Sequence, residues 1–162
     1  MSYIVCQEYK DSRSMDDKVK WSNQWRWEVA RHAIGEELIA YPAMESYVSG
    51  GVSMANKDRA QHRIVKENLA QLQDMEPWKD SSSFDQLMEK TQQALQNHMK
   101  EEEDEDLPKL RDAIPVEEGL RLGNKFQLTK KFVPTRCVWL VLFLHELRLN
   151  LGFYVFKRPF SW

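Results

Sequence analysis

Apolar residues recur at helical spacing along most of this chain, and this periodicity predicts an all-α fold. The first strongly periodic segment covers 15–48, and Gly50 and Gly51 end it. Pro42 lies inside the segment. Because proline removes a backbone hydrogen bond and clashes with the preceding turn, we expect a kink there.

Further helices follow at regular intervals. A second apolar stripe covers 54–75, with His62 on or near the same face as Val65 and Leu69. Ser81–Ser83 are N-cap candidates for a third helix that runs to about 105. A short helix is predicted from Pro108 through Leu122, and another over 3–12.

Composition limits the classes of function. The 162 residues carry 23 basic and 25 acidic side chains, so the net charge of −2 gives no broad attraction to nucleic acid or anionic lipid. Two distant cysteines, Cys6 and Cys137, indicate a reduced, intracellular protein, and no signal peptide is visible, so we expect a cytoplasmic location. Neither a Gly-rich phosphate loop nor a nucleophile with a positioned base stands out, so the sequence does not assign an enzymatic activity.

Three of the four histidines lie on the predicted helices, and two share one spacing. His32 is followed by Glu36, and His98 by Glu102. Residues four apart lie one above the other on a helix face, so each pair can present an imidazole and a carboxylate to one point. His62 adds a third imidazole. Donors of this kind, with no thiolate nearby, suit iron, manganese or zinc, and predict a metal site between the helices of a bundle.

Each of these features alone has a simpler interpretation. A single histidine four residues before an acid is usually a surface or core histidine beside a helix-stabilising carboxylate. The acidic run 101–106 is expected to be a solvated helix end in which only Glu102 has ligand spacing. His145 is interpreted as non-functional, and Trp21, Trp25 and Trp27 as packing residues. The combination on three successive helices favours the metal site.

The segments WSNQWRWEVARHAIGEELIAYPAME, KDRAQHRIVKENLAQLQ and NHMKEEEDEDLPKL together resemble hemerythrin-like domains with an HHE cation-binding signature, in particular the fungal type. The resemblance covers 18–136. It implies an up-down four-helix bundle that holds a non-haem di-iron centre between its helices. We therefore predict a domain over 1–136.

The resemblance also implies roles for individual residues. His32, Glu36, His62, His98 and Glu102 would be the metal ligands, and Glu36 and Glu102 would be able to bridge two metals. Glu37 adjoins the site and would at most orient a histidine.

The two ends of the chain depart from the family pattern. Family members carry another histidine on a first helix, and none precedes His32 here. Either Tyr3 replaces it, since a phenolate can bind ferric iron, or the first helix is truncated by a wrong start in the gene model. The hydrophobic segment 137–162 is expected to be an irregular tail and an artefact such as translated intron, the alternative being a real tail that packs on the bundle or touches a membrane.

Two functions remain at this stage. The first is binding of iron, two ions if the centre is complete, with dioxygen or peroxide as partner or with sensing of iron or oxygen. The second is a degenerate bundle that serves as an interaction module without a stable metal centre. An exposed apolar tail would favour the second, whereas convergence of the five predicted ligands would favour the first.

Overall fold

The computed structural model describes residues 2–132, and side chains over 4–129. Within these bounds the chain contains helices and no strand, which confirms the predicted all-α bundle. Seven α-helices and two π-helical turns follow one another: α1 Ser2–Lys10, α2 Met15–Gly35, a first π turn Glu36–Ala40, α3 Tyr41–Tyr47, α4 Gly51–Asp74, α5 Ser81–Glu101, a second π turn Glu102–Asp106, α6 Leu107–Ala113 and α7 Val116–Phe132. The predicted tail 137–162, with His145, lies outside the described residues.

Side-chain caps explain where two of the long helices begin. The Ser14 side chain accepts a hydrogen bond from the backbone N–H of Asp17 at 3.1 Å. At α5 the cap is Asp80, which accepts from the backbone N–H of Ser83 at 3.0 Å. Ser81–Ser83 therefore form the first turn of α5 and do not cap it, because the aspartate before them already satisfies the free donor.

Pro42 and Pro108 occupy equivalent places in their helices. Each follows a π turn, in which the N–H of Tyr41 bonds the carbonyl of Glu36 and the N–H of Leu107 bonds that of Glu102. The proline then falls in the first turn of the next helix, where its missing N–H is tolerated. One wider turn thus carries the chain from α2 into α3, and the kink expected at Pro42 stays a prediction.

The predicted helix over 108–122 is two helices. α6 ends at Ala113 and α7 begins at Val116, with Pro115 between them. A residue before proline is disfavoured in the α conformation, and Ile114 is accordingly extended at φ −112° and ψ 147°. The charged segment after Asn124 continues α7 to Phe132.

The chain reverses between α3 and α4 through two glycines. Gly50 has a φ of 77°, a left-handed conformation that favours glycine. A Cβ on Gly51 would lie 1.9 Å from the carbonyl oxygen of Met44, so only glycine permits this approach of the two helices.

The buried core consists of two apolar clusters. The larger contains Trp25, Val29, Val65, Leu69, Leu72, Phe84, Met88 and Leu95, with Val5, Cys6 and Tyr9 of α1. The smaller contains Tyr41, Ala43, Met44, Ala55 and Leu110. The predicted ligands lie between the two apolar clusters on each of the three long helical segments, α2–α3, α4 and α5–α6. They form a polar layer that crosses the bundle.

The last described helix covers one side of that layer. Gly35 lets the ring of Phe126 approach, since a Cβ there would lie 2.7 Å from Cε2 of the ring. Among the helices within 2–132, none combines the length and the apolar character needed to cross a lipid bilayer.

Candidate metal centre

Four of the five predicted ligands converge in the polar layer. Glu36, His62, His98 and Glu102 each offer one donor atom, and these atoms all lie within 4.8 Å of one another. All four side chains are buried. Glu36 and Glu102 begin the π turns that follow α2 and α5, His62 lies in the middle of α4, and His98 lies near the end of α5.

His62 is oriented by a buried ion pair. Its Nδ1 lies 3.2 Å from Oε1 of Glu37, and the same oxygen accepts a hydrogen bond from Nζ of Lys66 at 2.5 Å. The ionised carboxylate can only accept, so Nδ1 carries the proton and Nε2 points into the cluster, 3.3 Å from Oε2 of Glu36. Glu37 thus takes the histidine-orienting position that the sequence resemblance implied for it.

Burial and hydrogen bonds act on His62 in opposite directions. Burial alone would lower the pKa of His62, but its bonds to Glu36 and Glu37 raise it to about 9. Burial would likewise raise the pKa of Glu37, whereas His62 and Lys66 lower it below its usual range. A cation that binds Nε2 must therefore displace a proton from His62.

His98 is held by an amide. Its Nδ1 lies 2.8 Å from Oε1 of Gln61, while Nε2 of Gln61 donates to Glu101 at 2.8 Å. Because the Glu101 carboxylate is an acceptor, the amide must turn its oxygen to His98, whose Nδ1–H then donates. The Nε2 lone pair of His98 consequently faces the cluster, 3.4 Å from Oε1 of Glu102 and without an aligned hydrogen bond among the described residues.

Burial also keeps His98 neutral. Its removal from water, together with the charge of His62, lowers the pKa of His98 to about 4. A neutral imidazole with a buried, unpartnered nitrogen is the form that ligates metals. The unpartnered Nε2 of His98 is thus a second reason, besides the types of the residues, to expect a cation in this cluster.

The two carboxylates of the cluster differ in charge state. Hydrogen bonds from His32 and His62 outweigh burial and hold the pKa of Glu36 well below its usual range. Burial and the charge of Glu36 raise the pKa of Glu102 to about 9. The Oη of Tyr41 donates to Oε1 of Glu102 at 3.0 Å and lies 3.1 Å from Nε2 of His62. A cation would relieve the repulsion that keeps Glu102 protonated.

His32 lies at the edge of the cluster. Its Nε2 is 2.8 Å from Oε1 of Glu36, but it is not among the four mutually close donors. The edge of its ring meets Phe126, with centroids 6.1 Å apart. The side chain of Tyr3, the suggested replacement for a first-helix histidine, lies outside the described side chains.

Sequence reasoning missed three residues of this layer. Tyr41 and Gln61 contact the ligands, and Asp58 is fully buried one turn before His62. Asp58 precedes His62 by four residues. The other two pairs were identified by an acid four residues after a histidine, so a search for an acid four residues before a histidine would have found Asp58. The acidic run is exposed at Glu103, Asp104 and Glu105 as expected, but Asp106 is buried, so the expectation of a wholly solvated run was wrong there.

The tryptophans behave as packing residues where the core encloses them. Trp25 is fully buried and its indole N–H donates to Oε1 of Gln92 at 2.8 Å. Trp21 packs against the same apolar cluster. Trp27 stacks under the guanidinium of Arg31, with Cζ 3.6 Å from the ring centre.

Comparison with known proteins agrees with this geometry. Residues 5–110 match the hemerythrin HHE cation-binding domain family. A protein of Schizosaccharomyces pombe described as an uncharacterized hemerythrin-like protein is 41% identical over 130 residues, which cover 80% of this chain and 63% of that relative. The chain thus spans less than two thirds of the relative's length. No solved structure matches it. The family match and the buried His–Glu cluster together place this chain in the hemerythrin HHE cation-binding family.

Proposed function

We propose that this chain binds non-haem iron between α2, α4 and α5, two ions when the centre is complete, and that the centre takes dioxygen or peroxide as its partner. The observation that carries the proposal is the convergence of four buried donors within 4.8 Å. Imidazole and carboxylate donors without thiolate favour iron, manganese or zinc over softer ions. Bound iron would supply an open position for the small molecule and a reversible change of redox state.

The chain's own residues would supply orientation and exclusion of water. Glu37 and Gln61 hold the two imidazoles with Nε2 turned inward. Glu36 and Glu102 would be the carboxylates able to bridge two ions, and His32 the outermost ligand, because it already contacts Glu36. The two apolar clusters on either side of the layer keep the donors out of bulk water.

Tyr41 would hold a proton beside the ligands. Burial and the nearby charges of Glu36 and Glu102 raise the pKa of its phenol far above the usual range. The phenol therefore stays protonated at every working pH and remains a donor. This single O–H donates to Glu102, and it would serve dioxygen or peroxide held in this layer by exchanging that acceptor.

Elemental analysis tests the iron proposal. The chain would be produced in iron-supplemented medium beside His62→Ala, with Glu103→Gln as a matched control at an exposed acid next to a proposed ligand. We expect iron in the wild type and the control and its loss in His62→Ala. About two irons per chain would indicate a complete centre, and one a half-formed centre.

A metal-free wild type would contradict the proposal and favour the alternative, a degenerate bundle that acts as an interaction module. The partner is tested separately. Anaerobically reduced, iron-loaded protein should change its visible absorption when dioxygen or peroxide is added, and the zinc-loaded protein should not, because zinc has no redox chemistry.

A further inference from the structure

Two more buried carboxylates lie one helical turn from the His–Glu cluster. Asp58 of α4 is 0% exposed and precedes His62 by four residues. Asp106, the last residue of the second π turn, is 2% exposed and follows Glu102 by four residues. Since α4 and α5 are joined by a short loop and run antiparallel, these two offsets lead toward the same end of the bundle.

An ion pair between Lys57 and Glu101 joins the two helices at this level. Their Nζ and Oε2 atoms are 2.8 Å apart, immediately beside Asp58 and Glu102. The pair also engages the nearest lysine on α4 with another acid. Lys57 acts on Asp58 through its charge but donates no hydrogen bond to either of its oxygens.

The two aspartates lack the donors that buried carboxylates need. Both oxygens of Asp58 and Oδ2 of Asp106 have no hydrogen-bond partner among the side chains that the structure describes. Lys109 comes only to 3.9 Å from Oδ1 of Asp106, and its side chain is half-exposed. A buried carboxylate without partners costs several kcal/mol, so a protein retains it when a proton or a cation compensates it.

The charge of Asp106 acts on Asp58. Burial and the charge of Asp106 raise the pKa of Asp58 to about 6, and the charge of Glu36 adds to the effect. A cation held between the two carboxylates would remove this repulsion.

We propose that Asp58 and Asp106 hold a second cation, a hard divalent ion such as Mg²⁺, Mn²⁺ or Ca²⁺, at an oxygen-only position separate from the His–Glu cluster. Carboxylates without imidazole or thiolate select such ions. Two carboxylates with water in the remaining positions are a common way of binding Mg²⁺. The proposal goes beyond iron binding and does not depend on it.

Terbium luminescence tests this site. Tb³⁺ prefers oxygen ligands, and Tyr41, whose ring centroid lies 5.4 Å from that of His62 one helical turn from Asp58, would sensitise its emission. Chelator-treated full-length protein would be titrated with Tb³⁺ under excitation of the aromatic side chains, with Ca²⁺ as competitor. We expect saturable emission that Ca²⁺ suppresses, and at least a tenfold weaker affinity in Asp58→Asn and in Asp106→Asn.

Two controls separate this site from the others. Asp104→Asn removes an exposed acid from the same π turn and should leave the Tb³⁺ affinity unchanged. His98→Ala should lose iron by elemental analysis and keep the Tb³⁺ emission. Failure of the iron proposal would therefore leave the terbium result intact, and the reverse also holds.

Three outcomes would overturn the proposal. Emission that survives both aspartate substitutions would place the ion elsewhere, and emission lost equally in His98→Ala would assign it to the His–Glu cluster. Absence of saturable emission in folded wild type would show that the two aspartates hold no such cation. Circular dichroism of each variant checks folding, and the two aspartate variants serve as independent tests if one of them does not fold.

Discussion

Nζ of Lys66 lies 2.5 Å from Oε1 of Glu37, and this buried contact stands directly behind His62. The Lys66 side chain is 4% exposed and that of Glu37 16% exposed, so neither charge can reach bulk water freely. The pair orients a proposed ligand at the expense of two desolvated charges. The pair therefore serves to orient His62 and is not expected to stabilise the bundle.

Lys66→Met should destabilise the protein strongly. The substitution leaves the Glu37 carboxylate buried without its lysine, which costs about 3–5 kcal/mol. The double variant Glu37→Gln, Lys66→Met should recover most of that loss, because no unpaired charge remains. Urea unfolding of chelator-treated protein measures both, and Lys100→Met, at an exposed lysine, is the control. Equal losses in the single and double variants would contradict this account.

Gln61→Leu should weaken metal binding without unfolding the chain. The amide oxygen of Gln61 fixes the Nδ1 proton of His98, and loss of such a partner typically costs about 10–100-fold in metal affinity. Competition with a chromophoric chelator measures the change. Gln96→Leu, at an exposed glutamine on α5, should bind metal as the wild type does. An unaltered affinity in Gln61→Leu would show that the hydrogen bond does not orient the ligand.

Metal-free protein should lose stability as the pH rises from about 6.5 to 9. Carboxylate hydrogen bonds outweigh burial at His62, and burial acts with the charge of Glu36 at Glu102, so both native pKa values stand at about 9. The folded state then binds these protons more tightly than the unfolded chain does. Their stabilising contribution is complete below the unfolded pKa of each group and disappears as the pH approaches 9.

Thermal unfolding across this pH range provides the measurement. The metal-loaded protein should show a smaller decrease or an increase in Tm, because the metal replaces the protons and binds more tightly as the pH rises. A Tm of the metal-free protein that rises steadily to pH 9 would be incompatible with these protonation states.

Gly51→Ala should destabilise the reversal between α3 and α4. The new Cβ would lie 1.9 Å from the carbonyl oxygen of Met44, and because that atom belongs to the backbone, the two helices must separate. We expect a loss of more than about 2 kcal/mol. Gly123→Ala is the matched control: it lies within α7 with no atom within 4 Å of its Cβ position, and should gain about 0.5–1 kcal/mol. Chemical denaturation that ranks the two equally would refute the steric argument.

Helical periodicity predicted most of this fold because it depends on local sequence. It located α2, α4 and α5, and the spacing between His and Glu selected Glu36, His98 and Glu102, which converge with His62. It missed the break at Pro115, because the apolar pattern continues on both sides. It also missed Asp58 and Asp106, since an acid on a helix ordinarily faces solvent and only the packing of α4 against α5 buries these two.

The residues that contact the proposed ligands could not be predicted from the sequence, for a different reason. Gln61 and Tyr41 act through contacts between helices, and nothing in a stripe of apolar residues reports which polar side chain crosses the bundle. Glu37 was noticed only because it adjoins Glu36. Its partner Lys66 is a residue type that is rarely buried, so a sequence pattern assigns it to the surface.

Each π turn accommodates one more residue than an α-helical turn does. In a regular α-helix five residues rotate the chain by about 500°, which would turn Tyr41 roughly 140° away from Glu36. A hydrogen bond from Tyr41 back to Glu36 brings the two nearly into line, and the second turn does the same for Leu107 and Glu102. Deletion of one residue from either turn would leave an α turn, in which four residues rotate the chain by about 400°, so the second half of the helix would keep nearly the same facing. Each π turn thus places one additional residue between the glutamate and the proline without turning the rest of the helix away from the layer.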